Sequence, residues 1–213
     1  MKRLGYFLLV LMCTTLACNS AKIGESIAPA GGILYQDDFS NPNSGWGQLD
    51  SAAGVAGYTN GAYHIYVKSP NVNLWAHAGM DFSTVRIEVN VTTAGGPQAN
   101  RMGLICRRLD DNHFYYFVIS SDGYFGIGKV KDAKWSLLSG SQMQPSAAIK
   151  PGNQANHLRA DCIGNLLIFY VNDQLVGSAK DVDYASGDVG LLAGTFDEPG
   201  ADVAFDNFVV IKP

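Results

Sequence analysis

From Val85 to Thr92 apolar and polar residues alternate without a break. A period of two predicts a half-buried strand, with Val85, Ile87, Val89 and Val91 facing inward. The same kind of pattern predicts strands over 61–67, 102–108, 114–120, 123–130 and 134–139, with a hairpin turn at Ser121-Asp122-Gly123. Residues 156–181 read as three successive strands, turned at Gly164-Asn165 and at Asn172-Asp173. Two more strands, over 186–196 and 201–212, close the chain. No capped amphipathic helix is predicted beyond a single turn near Pro145 to Ile149, and no internal repeat is visible. Many short strands with frequent turn signals predict an all-β, two-sheet antiparallel sandwich of the jelly-roll kind.

Alternation also assigns faces. Leu104 and Cys106 share one face of their strand, and Gly103, Ile105 and Arg107 share the other. An arginine is disfavoured in a core, so Leu104 and Cys106 are expected inside and Arg107 outside. Leu158, Ala160 and Cys162 point inward by the same reasoning, with Arg159 and Asp161 outward. Tyr115, Phe117 and Ile119 form a core set, leaving Tyr116 and Val118 on the outer face.

The N-terminus changes the picture of where this domain works. Lys2 and Arg3 precede an apolar run from Leu4 to Leu11, followed by small residues and Cys18. That layout is a secretory signal, and the run is too short to span a bilayer. Thr15-Leu16-Ala17-Cys18 resembles a bacterial lipobox, with Thr15 where that pattern usually has leucine. The resemblance implies cleavage after Ala17 and acylation of Cys18, which anchors the protein to the cell membrane on its extracytoplasmic side. Ordinary export with an incidental Cys18 is the alternative; Cys13 is a poorer site because bulky Met12 precedes it. Residues 1–17 are thus read as signal peptide, 18–32 as a flexible Ala/Ser/Gly/Pro tether, and 33–213 as one domain. In an oxidising compartment two inward-facing thiols, Cys106 and Cys162, are free to form a disulfide.

Composition narrows the partners. The formal net charge is −4 and no basic cluster occurs, which argues against nucleic acid. Only 16% of residues are charged, while glycine numbers 24, a balance suited to an exported β domain.

Several segments together carry a family resemblance: "YQDDFSNPNSGW", "GLICR…NHFYYFVISSDGYFGIGKV", "NHLRADCIGNLLIFYVNDQLVG" and "SGDVGLLAGTFDEPGADVAFDNFVV". From about Tyr35 to the C-terminus the chain resembles the concanavalin A-like, laminin-G-like jelly rolls of bacterial exported lipoproteins. More distantly it is similar to 3-keto-disaccharide hydrolase-like domains, through the Gly-x-x-x-Arg strand from Gly103 to Arg107. The resemblance implies two stacked antiparallel sheets with one concave outer face, and carbohydrate or protein ligands. It implies no particular activity, because such folds carry lectins, hydrolases and adhesion modules alike.

Retaining glycosidases need two carboxylates about 5 to 5.5 Å apart. The Glu-x-Asp-x-x-Glu strand of laminarinase-type jelly rolls is absent; around Glu88 the same-face residues are Arg86, Asn90 and Thr92. His64, His77, His113 and His157 lack metal-ligand spacing. Catalysis is therefore disfavoured. Sugar binding needs flat apolar rings bordered by polar groups. The expected ligand-binding set is Tyr66, Trp75, Tyr116, Tyr124 and Trp135, with Asn100 and Arg107 as polar partners and Tyr116 beside Arg107 in one groove. In jelly rolls of this type a structural Ca²⁺ often sits where first and last strands pair, which nominates Asp38 (or Asp37) and Asp206 as oxygen ligands. The expected function is a membrane-anchored, non-catalytic module binding a glycan or a cell-surface protein. A hydrolase acting on glycosides or sugar derivatives is the first alternative, and a purely structural or adhesion module the second. Replacing the acylated residue tests the anchor: Cys18→Ser should accumulate the uncleaved precursor and lose labelling by a fatty-acid analogue. Full labelling of that variant would refute lipidation at Cys18.

Overall fold

A computed structural model describes residues 28–213; the signal segment, Cys18 and the tether as far as residue 27 lie outside the described residues. Sixteen strands form among the described residues. In chain order they begin with β1 (Ile33–Asp37), β2 (Leu49–Asp50), β3 (Gly54–Thr59), β4 (Ala62–Val67) and β5 (Asn73–His77). The long central strands β6 (Val85–Gly95) and β7 (Asn100–Asp110) lead to β8 (His113–Ile119), β9 (Tyr124–Lys131), β10 (Lys134–Leu137) and β11 (Gln144–Pro145). The chain ends with β12 (Asn156–Ile163), β13 (Leu166–Val171), β14 (Gln174–Lys180), β15 (Asp188–Thr195) and β16 (Ala201–Ile211). No α-helix occurs among the described residues. After β11 the chain makes one turn, closed by the Ile149 N–H donating to Ser146 O at 3.3 Å.

The strands make two antiparallel sheets. One runs β14-β13-β12-β6-β16-β4-β3-β2 with β1 also paired to β16, and the other runs β10-β9-β8-β7-β15-β5 with β11 on β9. Neighbours distant in sequence, such as β6 beside β16 and β7 beside β15, are the crossovers of a jelly roll. The sheets face each other across one apolar core. Val85, Ile87, Val89 and Val91 of β6 meet Leu104, Tyr115, Phe117, Ile119 and Phe169 there, all buried. The expected inward sets are all on this face.

Cys106 and Cys162 are bonded, with Cα atoms 6.9 Å apart, so a covalent link joins β7 of one sheet to β12 of the other. Next to it the expected alternation breaks. Arg107 has φ 51°, and the β7–β8 register slips between Cys106 and Asp110. This bulge rotates the side chain off the outer face and into the end of the sandwich. Arg107 is 2% exposed. Its guanidinium donates to Ser83 O (3.1 and 2.9 Å), Gly164 O (2.7 Å) and Tyr184 O (3.1 Å). Gly187 makes room, since a Cβ there would sit 2.6 Å from the Arg107 carbonyl carbon. Arg107 therefore caps the core and does not stand on the outer face beside Tyr116 as expected.

Tyr116 and Val118 do face outward, yet both are buried, because loops and side chains cover that face. The disulfide closes a loop of 56 residues. By the chain-entropy relation its loss costs up to about 4 kcal/mol. A Cys106→Ala/Cys162→Ala variant should fall by up to that amount in denaturant titration, and native protein should show no alkylatable thiol among these two.

Candidate functional site

The outer face of the smaller sheet is built from every second residue of its strands. Arg101, Gly103 and Ile105 of β7 lie between Gly194, Leu192 and Gly190 of β15 and Val118 and Tyr116 of β8. Next come Gly126 and Gly128 of β9, opposite Val118 and Tyr116, then Leu137 of β10 opposite Gly128. Ile105, Phe114, Tyr116, Val118, Val130 and Leu192 make a second apolar cluster, separate from the core. Each of these glycines is closely approached, and at two of them the missing side chain shapes the cavity. A Cβ on Gly128 would collide with the Tyr116 ring end and the Ser136 carbonyl. One on Gly194 would collide with Asn73 Oδ1. Missing side chains thus let a tyrosine lie across the strand and an asparagine fold inward.

The result is a cavity of about 530 Å³, walled by Tyr116, Tyr124, Trp135 and Phe196, with Arg101 and Asn73 among its polar residues. Val118, Leu137, Gln142 and Met143 complete the lining. Trp135 packs tilted, at 5.0 Å and 44°, against Tyr116 and edge-on at 5.5 Å against Phe114; Trp75 lies 6.2 Å beyond Trp135. Tyr116 donates its hydroxyl to Ser136 O at 3.1 Å. Burial pushes its pKa up to about 12, partly opposed by the Arg101 charge. Burial also pulls the Arg101 pKa below the usual arginine value, with Tyr116 opposing; the guanidinium stays charged at any physiological pH. Among the described residues that line this cavity there is no aspartate, glutamate or histidine.

The expected site residues divide. Tyr116, Tyr124 and Trp135 come together in the cavity wall. Trp75 stands beside them, its Nε1–H donated to Asp111 Oδ1 at 2.9 Å. Tyr66 lies on the other sheet, in a separate hollow with His64 and Asp202. Asn100 is wholly buried: its amide donates to Pro97 O and Ser121 Oγ (both 2.9 Å) and accepts from Ser121 N at 3.0 Å. It fastens one turn to another and is not part of the lining of this cavity. Asp38 and Asp206 line different hollows. Asp38 Oδ1 instead accepts from the Ser40 N–H and hydroxyl, and Asp206 Oδ1 from Asn207 N. Asp37, the other nominee, is occupied by Phe39 N and the Tyr35 hydroxyl. No group of three or more metal-ligating side chains converges among the described residues. Each histidine meets carboxylate: His64 with Asp202, His77 with Asp188, His113 with Asp110 and Asp132, His157 with Glu88 and Asp173.

Arg101 and Phe196 were not foreseen. The signal for Arg101 was present, since it has the same parity as Gly103 and Ile105 and stands before the bulge that displaces Arg107.

Known structures share this architecture. A carbohydrate-binding module, CBM66, from Bacillus subtilis superposes with a TM-score of 0.64 at 20% identity, over 79% of this chain and 96% of its own. The fold is a concanavalin A-like jelly roll. A Bacillus subtilis protein of unknown function with a galectin-like fold gives 0.66 at 10% identity, over 87% and 98%. A Bacillus licheniformis beta-glucanase gives 0.61 at 14% identity, over 87% and 100%. No family model and no curated protein sequence matches the chain. At these identities the likeness establishes the jelly roll and nothing finer.

The Gly128 contact predicts a repacking effect. Gly128→Ala should cost about 1 to 3 kcal/mol, the usual range for overpacking. It should also alter the near-ultraviolet circular dichroism of the Tyr116–Trp135 pair. An unchanged spectrum and melting temperature would show that the ring does not lie across this strand.

Proposed function

We propose that the cavity on the outer face of the smaller sheet is a glycan-binding site, and that the protein is a non-catalytic carbohydrate-binding module held at the membrane surface by a lipid on Cys18. The observation that carries the reading is the cavity's chemistry. Aromatic rings and an arginine line it, and no carboxylate does. Flat rings bind pyranose faces through C–H and dispersion contacts, and amides and guanidinium serve the hydroxyls. Glycosidic cleavage by the two-carboxylate route needs an acid and a nucleophile or base at the sugar, and this lining offers neither. The carbohydrate-binding module of similar fold supports the same direction.

Tyr124 and Trp135 are 41% and 37% exposed, so both keep ring surface for a ligand. On a glycan array the purified protein should retain a defined subset of oligosaccharides. Tyr124→Ala should weaken that binding about tenfold, in keeping with aromatic contact energies, with little change in melting temperature. Trp135→Ala should lose affinity and some stability together, because Trp135 also covers Tyr116. An array with no retained glycan would favour the adhesion alternative, and release of reducing sugar from a bound glycan would favour the hydrolase.

A further inference from the structure

Arg101 makes this cavity unlike a site for neutral sugars alone. Its Nη1 donates to Asn73 Oδ1 at 3.1 Å and to Thr195 O at 3.0 Å. Its guanidinium lies on the Phe196 ring, 3.7 Å from the centroid. Two hydrogen bonds and a stacked ring fix the plane of the group. The Nε–H and Nη2–H donors have no acceptor among the described residues. No carboxylate pairs with Arg101 either, whereas Arg86, Arg108 and Arg159 are each matched to an aspartate. A half-buried guanidinium in an aromatic wall without a counter-charge is costly, and an incoming anion relieves that cost.

We infer that the cavity takes an acidic saccharide, a uronic acid whose carboxylate is seated on the Nε–Nη2 edge of Arg101 while its ring lies against Tyr124 and Trp135. This rests on the glycan-binding reading above. The geometry selects a carboxylate, because two parallel N–H groups of a fixed plane match its two oxygens in one plane. With Nη1 tied to Asn73 and Thr195, the Nε–Nη2 edge is the one left for that pairing. Asn73 is held in turn by the missing side chain at Gly194. The fork is therefore set before a ligand arrives, which lowers the ordering cost of binding.

The test uses the full chain, purified in detergent, and follows tryptophan fluorescence from Trp75 and Trp135. The probes are short oligomers of galacturonate, glucuronate and mannuronate, each beside its carboxyl-reduced neutral form, with a sulfated neutral oligosaccharide as a further arm. At least one uronate should bind at least about tenfold more tightly than its reduced partner, the scale of a charge-assisted pair. That advantage should shrink as salt is raised. Arg101→Gln should cost the acid far more affinity than the reduced form and so remove most of the difference between them. Arg101→Lys, which retains the charge and the folded wall but not the fork, should lose most of the advantage too. Reduced forms that match their acids would overturn the inference and leave the glycan reading standing. Binding of the sulfated probe without any uronate would overturn the carboxylate assignment. If neither member of any pair binds, the glycan reading itself fails and this inference falls with it.

Discussion

The outer face of the smaller sheet depends on one contact, the Tyr116 ring lying across Gly128. Without a side chain at 128 the ring reaches past β9 and its hydroxyl meets Ser136 O. That bond fastens β10, a strand of four residues that would otherwise be held mainly by its ladder to β9. β10 carries Trp135 and Leu137, which form one side of the cavity. A single absent Cβ is thus upstream of the wall, the covering of the second apolar cluster and the aromatic surface left for a ligand.

The two arginines of β7 show how one strand gives the same residue type opposite fates. Arg101 sits before the bulge, keeps the period of two, and lines the cavity. Arg107 sits in the bulge with a left-handed backbone and is turned into the closed end of the sandwich. There it binds carbonyls from three separate segments, around Ser83, Gly164 and Tyr184. One residue beyond the disulfide, it holds the corner that the disulfide crosses. Charge alone would have made both surface residues; backbone conformation decides between them.

Much of the fold was legible because long half-buried strands advertise their period. β6 and β12 alternate polar with apolar residues, and their inward apolar residues are core residues. β1, β2, β3, β5 and β11 were not read from the pattern. β2 has two residues, β3 is interrupted by Gly54 and Gly57, and β5 reads Asn-Leu-Trp-Ala-His with no sustained alternation. For the site, the aromatic residues of β8, β9 and β10 were legible, since three successive hairpin-linked strands must lie in one sheet. Tyr66 was grouped with the others by residue type alone, and its strand pairs into the larger sheet. Asn100 and Arg107 were misplaced because polar side chains were expected at the surface. Each is instead buried by hydrogen-bonding the ends of the chain's own turns, a cost-offsetting role that no periodicity reveals.

The location of the disulfide has a mechanical consequence. The N-terminal segment enters through Gly31 and Gly32, which bond to Lys212, and then through β1 on β16, all on the larger sheet. The cavity opens on the smaller sheet. For a domain held by its N-terminal segment and gripping a stationary polymer, any pull runs across the sandwich from one sheet to the other. Side-chain packing between sheets resists such a load only by contact. The Cys106–Cys162 bond crosses the same gap covalently, on the strand next to β8, so separation of the layers under tension must first leave that corner closed.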